Sequence, residues 1–210
     1  MPASRFIPPE GFKLLPQRFS RAEQTALVET VLAGIEKSPL YQPAMPRTGK
    51  PLSVRMTNFG PLGWVTDKDR GYRYEPGHPV TGEAWPAMPQ ALLDLWAAIA
   101  DWPDPPQACL VNWYGPEARM GLHVDNDEQA VYAPVVSVSL GDKARFRLGG
   151  PSRGDPTASF VLDSGDVVVL GGAARACHHG VDRIYPGTST LLPEHWRPGR
   201  INLTLRRVTP

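Results

Sequence analysis

His123-Val124-Asp125 sets an imidazole and a carboxylate on either side of one small apolar residue. In a β-strand the side chains repeat with a period of two, so His123 and Asp125 would share a face and could converge on one metal ion. A second imidazole would complete a two-histidine, one-carboxylate facial set with open positions, an arrangement suited to substrate chemistry on Fe(II). His178 and His179 form the one histidine pair in the chain and follow an apolar strand-like run. They would point to opposite faces of a strand, so spacing alone does not choose between them. Taken alone, a histidine two residues before an aspartate also describes many surface or hydrogen-bonded core histidines.

A second candidate stretch follows downstream. Arg200-Ile201-Asn202-Leu203-Thr204-Leu205-Arg206 alternates strictly, which puts Arg200, Asn202, Thr204 and Arg206 on one face of a strand. Two guanidiniums on a face otherwise suited to a core are costly unless an anion meets them. An acidic cosubstrate would do so, and the planar guanidinium fork is suited to gripping a carboxylate through two hydrogen bonds. Arg207 has the opposite parity and reads as a surface residue.

These side chains need a scaffold that brings distant stretches together. The chain has 210 residues and a 41% apolar fraction, enough for one catalytic-size domain with a real core. Its net charge of +1 gives no global attraction to nucleic acid, so any such binding must come from a local patch. Two cysteines, Cys109 and Cys177, are too few for a disulfide framework and fit a reducing compartment. The first residues lack the apolar run of a signal peptide, and no stretch approaches the about 18 apolar residues of a membrane span. A cytoplasmic, soluble monomer with no membrane partner is expected.

Residues 1–19 read as an irregular arm. Ser20-Arg21-Ala22-Glu23 has the spacing of a capping box, and Leu27, Val28, Val31, Leu32 and Ile35 follow at helical spacing, which predicts an amphipathic helix packed outside a sheet. From Tyr41 to Pro89 the chain is rich in Pro and Gly, and Trp64, Tyr72, Tyr74 and Trp85 are interspersed with Arg55, Lys68, Arg70 and Arg73. That region reads as a hairpin that either covers a core edge or stacks a base as a lid. Pro89 to Ala100 predicts a second short helix with Trp96 in the core. Short alternating segments then follow, around 136–140, 144–148, 159–162, 167–170 and 201–208, separated by Gly-rich turns. That rhythm predicts an antiparallel sandwich or jelly roll, mainly β with helices outside.

The ordered set Asn112-x-Tyr114, His123-x-Asp125-x-Asp127-Glu128, His179-Gly180 and Arg200-x-Asn202-x-Thr204-x-Arg206 resembles the AlkB family of Fe(II)/2-oxoglutarate dioxygenases, which reverse alkylation damage on nucleic-acid bases. The match covers roughly residues 51 to 208 and includes Met56-Thr57-Asn58, Gly63-Trp64, Gly71-Tyr72-Arg73-Tyr74 and Trp85-Pro86-Ala87-Met88-Pro89. The resemblance implies a double-stranded β-helix core, with an N-terminal arm and helix over 1–50, a nucleotide-recognition lid over 51–90 and the catalytic core over 91–210, all in one structural domain.

It further implies the roles. The family ligand immediately precedes Gly, so His179 rather than His178 joins His123 and Asp125 on iron. Arg200 takes the far carboxylate of 2-oxoglutarate, Asn112 and Tyr114 help to hold it, and Asn202 lines the same face. Arg206 steadies the keto-acid end or Asp125. Trp64, Tyr72 and Tyr74 belong to the lid. Asp127 contacts the lesion base, with Trp64 and the His123 ring on either side, and Arg153 lies close to substrate. A carboxylate there would favour the cationic 1-methyladenine and 3-methylcytosine.

The implied reaction uses Fe(II), 2-oxoglutarate and O2, demethylates bases in single- or double-stranded DNA (or RNA), and releases formaldehyde, succinate and CO2. An oxygenase acting on a small molecule or a protein side chain is the alternative. Trp113, Gly121 and Cys177-His178 depart from the best-known members and leave the pocket width open.

Overall fold

The structure, a computed structural model, describes residues 6–210. The elements run β1 (Phe12–Leu15), α1 (Arg21–Lys37), β2 (Arg55–Phe59), β3 (Gly63–Asp67), β4 (Gly71–Glu75), α2 (Gln90–Ile99), β5 (Ala108–Tyr114), β6 (Met120–His123), β7 (Val135–Gly141), β8 (Lys143–Leu148), β9 (Ala158–Leu162), β10 (Val167–Leu170), β11 (His179–Tyr185) and β12 (Arg200–Arg206). Six strands form one antiparallel sheet in the order β1-β10-β7-β12-β5-β2, and four form a second in the order β6-β11-β8-β9. Facing each other, the two sheets make the jelly roll.

Alternation along the strands of the large sheet divides the core in two. Val136, Val138 and Leu140 on β7 and Ile201, Leu203 and Leu205 on β12 face the helices, where Leu27, Val28, Val31 and Ile35 of α1 and Leu92, Leu95 and Trp96 of α2 cover them. Leu110, Val135, Val168 and Leu170 face the small sheet and meet Phe146, Leu148, Leu162 and Val181. The polar face of β12 therefore looks into the space between the sheets. Placing a strand's hydrophobic set on the helix side forces its other set inward, since a shift of one residue would reverse every side chain.

α1 begins at the expected capping box: Ser20 N donates to Glu23 Oε2 at 2.7 Å, and Glu23 N donates to Ser20 Oγ at 3.4 Å. Its helical period buries one stripe on the large sheet, as the apolar spacing requires. Among the described residues no helix is long and apolar enough to cross a membrane.

Two expectations are corrected and one alternative is decided. The supposed irregular arm contains β1, which pairs Phe12–Leu15 with Leu170–Val167 and covers what would otherwise be an open edge of β10. The segment given to the lid is divided: β2 is an edge strand of the large sheet, while only the β3–β4 hairpin pairs with nothing but itself. Trp85 is buried, with its indole donating to the Glu75 carbonyl at 2.8 Å, so it anchors the hairpin and does not present a surface.

Candidate active site

His123 ends β6 and His179 begins β11, and the two are register partners across the ladder. Their ring centroids lie 4.6 Å apart. Asp125 meets them, with Oδ1 3.6 Å from His123 Nε2 and Oδ2 3.4 Å from His179 Nε2. One ligand atom from each of the three residues falls within 4.8 Å of the others.

The hydrogen bonds specify which atoms are free. His123 Nδ1 contacts the Gly121 carbonyl at 2.9 Å and His179 Nδ1 contacts the Cys177 carbonyl at 3.2 Å. A carbonyl only accepts, so each Nδ1 donates and each ring turns its Nε2 toward its neighbours. Asp125 Oδ2 is buried and has no hydrogen-bond partner among the described residues. Two imidazole Nε2 atoms and a carboxylate oxygen converge on one point, where a divalent cation would meet all three. The donor set fits Fe(II).

Burial alone would raise the Asp125 pKa, but the Arg206 guanidinium and His179 hold it well below the usual carboxylate range. Enclosure by protein, and then the neighbouring His179, push the His123 imidazole down, toward the neutral form that binds metal.

Asp125 reaches this position by a route other than strand parity. β6 ends at His123, and residues 124–134 form neither helix nor strand. The carboxylate is held by Arg206 Nη2 at 2.6 Å, and the Asp125 carbonyl accepts from Arg175. Likewise Asp127 is not the next inward residue of a strand. It is an exposed residue whose Oδ2 accepts the Trp64 indole N–H at 2.7 Å.

A cavity of about 700 Å³ opens between the sheets onto this cluster, and Arg200, Asn202, Thr204 and Arg206 form one wall. Arg200 is fully buried; its Nη2 donates to Ser139 Oγ at 2.8 Å and its charge lies 5.6 Å from the centre of the Tyr114 ring. Among the described residues its Nε and Nη1 have no partner, nor does Oδ1 of Asn112. Burial pushes the Arg200 pKa down. A buried cation with two idle donors is costly unless an anion fills them, so the donors fit the distal carboxylate of a diacid. Asn202 closes the floor, donating to Ser137 Oγ at 2.7 Å and receiving Asn112 Nδ2 at 3.4 Å.

At the mouth Trp64 and Tyr72 stack, with ring centroids 5.4 Å apart and planes inclined by 22°. Tyr72 is 46% exposed and Arg153 is an exposed residue of the β8–β9 loop, also on the cavity lining. Tyr74 departs from the expectation. Its hydroxyl donates to Glu128 and accepts from Arg206 Nη1 at 3.2 Å, so it points into a buried polar network and not toward substrate space. His178 likewise turns away, to the Gly150 carbonyl at 3.3 Å.

The sequence reading missed Ser137, Ser139 and Arg175, and gave Glu128, though quoted in the motif, no role of its own. The two serines were legible in principle, because Val136-Ser137-Val138-Ser139-Leu140 alternates as sharply as β12 does. Glu128 is marked only by its place in the motif, and Arg175 carries no such signal. They are buried polar residues from irregular segments that pair only in three dimensions, at 2.8 Å.

A jelly roll enclosing two imidazoles, a carboxylate and an unpaired arginine belongs to a recognisable class, and residues 11–206 match the 2OG-Fe(II) oxygenase superfamily. The chain belongs to this superfamily and, within it, to the AlkB group of Fe(II)- and 2-oxoglutarate-dependent dioxygenases. It is 55% identical to an alpha-ketoglutarate-dependent dioxygenase AlkB homolog of Caulobacter vibrioides over 94% of this chain and 87% of that one. It is 43% identical to the alpha-ketoglutarate-dependent dioxygenase AlkB of Escherichia coli over 90% and 86%. A solved structure titled OsALKBH1 superposes with a TM-score of 0.77 at 31% identity, covering 97% of this chain and 99% of that one.

Proposed function

We propose that this dioxygenase removes alkyl groups from ring nitrogens of nucleic-acid bases, with 1-methyladenine and 3-methylcytosine in DNA as substrates, in direct-reversal repair. The enzyme uses Fe(II), 2-oxoglutarate and O2. In this reading Nε2 of His123, Nε2 of His179 and Oδ2 of Asp125 hold the iron. Arg200 takes the distal carboxylate of 2-oxoglutarate through its idle Nε and Nη1, with Tyr114, Asn112 and Asn202 enclosing it. When bound, the metal and cosubstrate supply the oxidation that converts an N-methyl group to N-hydroxymethyl, with succinate and CO2 as co-products; the hydroxymethyl group then leaves as formaldehyde.

The protein's own part is placement and exclusion of water. Leu110, Val135, Val168, Leu170 and Phe146 give the cavity apolar walls. Trp64 and Tyr72 offer a stacking surface for an unpaired base, and Arg153 offers a charge for the adjoining phosphates. Asp127 sets a carboxyl group beside that surface, whose ionised form would favour a cationic methylated base over its neutral repaired form. A damaged base pairs badly and is cheaper to unstack, which adds selectivity. We further place the enzyme in the cytoplasm as a monomer.

The observation that carries this reading is the stacked Trp64–Tyr72 pair, tied through the Trp64 indole to Asp127, at the mouth of the same cavity that encloses the histidine–aspartate cluster. The test is formaldehyde release from methylated oligonucleotides supplied with Fe(II) and 2-oxoglutarate. Release from N1-methyladenine or N3-methylcytosine strands is expected. Absence of release from every such strand, with iron bound and succinate forming, would overturn it.

A further inference from the structure

Two segments deliver the candidate metal ligands, and one side chain spans both. Arg175 lies in the 3₁₀ turn Gly172–Ala176, just ahead of His179, and is buried. Its guanidinium reaches across to the irregular stretch that carries Asp125. There Nη1 donates to the Asp125 carbonyl, Nη2 to Glu128 Oε2 at 2.8 Å and Nε to the Ala133 carbonyl at 2.9 Å. We infer that Arg175 is a positioning residue for the metal centre, clamping the Asp125 segment to the His179 segment so that the two ligands keep their mutual distance.

The need for such a clamp follows from the fold. β6 stops at His123, so no ladder hydrogen bonds fix residues 124–134. The peptide carbonyl of Asp125 and two later points of the loop are all held by a single planar group. Glu128 extends the effect, because its other oxygen accepts from Arg206 Nη1 at 2.7 Å, and Arg206 Nη2 in turn orients Asp125 Oδ1. One backbone contact and one side-chain relay therefore converge on the same carboxylate, leaving Oδ2 free. Metal ligands must be held to within about 0.5 Å to bind productively, and groups that orient them are correspondingly consequential.

The inference rests on the assignment of His123, Asp125 and His179 to the metal, and the experiment separates the two. Purified protein stripped of metal is titrated with Co(II) in the presence of 2-oxoglutarate without O2, read by the visible absorption of the ion; unfolding temperature is recorded for each variant. Arg175→Met should weaken Co(II) binding by about 10–100-fold, Arg175→Lys by less but by at least about fivefold, and Arg147→Met, which removes an ion-paired arginine on the outer face of the small sheet, by less than about twofold. A purely structural role would lower the unfolding temperature and leave Co(II) affinity in the folded protein unchanged. If Arg175→Met folds and binds Co(II) within about twofold of the parent, the inference fails; if it does not fold, the same result with Arg175→Lys decides. Unchanged Co(II) affinity in Asp125→Ala would instead overturn the ligand assignment itself.

Discussion

Arg206 Nη2 lies 2.6 Å from Asp125 Oδ1, while Oδ2 of the same carboxylate has no hydrogen-bond partner. One oxygen is committed to a fixed cation and the other is kept for a mobile one. The guanidinium also holds Glu128 at 2.7 Å, so a single positive charge sits between two buried carboxylates; burial would lower its pKa, but Asp125, Tyr74 and Glu128 raise it well above the usual value. Arg206→Met should then do two things. Turnover should fall by on the order of a hundredfold or more, because Asp125 loses its orientation. Stability should fall by about 3–5 kcal/mol, because Asp125 is left buried without its guanidinium and Glu128 keeps only Arg175 as a counter-charge. Succinate production and denaturant unfolding of the same variant measure both.

Arg200 predicts the opposite sign for stability. Its Nε and Nη1 are buried without partners, so the ligand-free protein carries an unsatisfied cation. Arg200→Met should raise the KM for 2-oxoglutarate by about 10–100-fold or more, since charge-assisted hydrogen bonds contribute roughly 1.5–3 kcal/mol each. Without 2-oxoglutarate, the same variant should unfold at an equal or higher temperature than the parent, because an apolar side chain of similar length no longer has to be desolvated as a charge. A clear drop in ligand-free stability would show that Arg200 is already satisfied by the protein.

Much of this was readable before any coordinates. β12 announces its two faces by strict alternation, and the Ser20–Glu23 capping box marks the start of α1, because both patterns are local and periodic. His123 and Asp125 were legible as a pair for a reason that proved incidental. The strand ends between them, and tertiary hydrogen bonds from Arg175 and Arg206 place the carboxylate. Tyr74 illustrates the limit. Its side chain shares the lid composition of Tyr72, yet Tyr72 is half exposed while the Tyr74 hydroxyl is drawn inward by Glu128 and Arg206. Which tyrosine meets solvent depends on how the hairpin docks, and docking is invisible to composition. β1 was missed for a similar reason: four residues have too little period to identify, and their strand character comes from the open edge they cover.

Trp64 should separate substrate capture from cosubstrate chemistry. Its indole is hydrogen-bonded to Asp127 and stacked on Tyr72, but it contributes no candidate metal ligand. Trp64→Ala should weaken oligonucleotide binding about 5- to 150-fold, corresponding to roughly 1–3 kcal/mol of base stacking. Succinate formed without nucleic acid should be unchanged. Equal losses in both assays would mean that the hairpin supports the iron site directly.

Metal removal is the most direct probe of the three-residue cluster. His123 Nε2 and His179 Nε2 lie 3.6 and 3.4 Å from oxygens of the Asp125 carboxylate, so a divalent ion there would gain three ligands at once. A divalent ion binding only the folded chain stabilises it by about 2.7 kcal/mol when present at a hundred times its dissociation constant. Chelation should therefore lower the unfolding temperature, and added Mn(II) or Co(II) should restore it. In Asp125→Ala one of the three ligands is gone, so chelator and metal should both leave its unfolding temperature nearly unmoved. A metal-dependent shift of the parent's size in that variant would mean that the ion binds elsewhere.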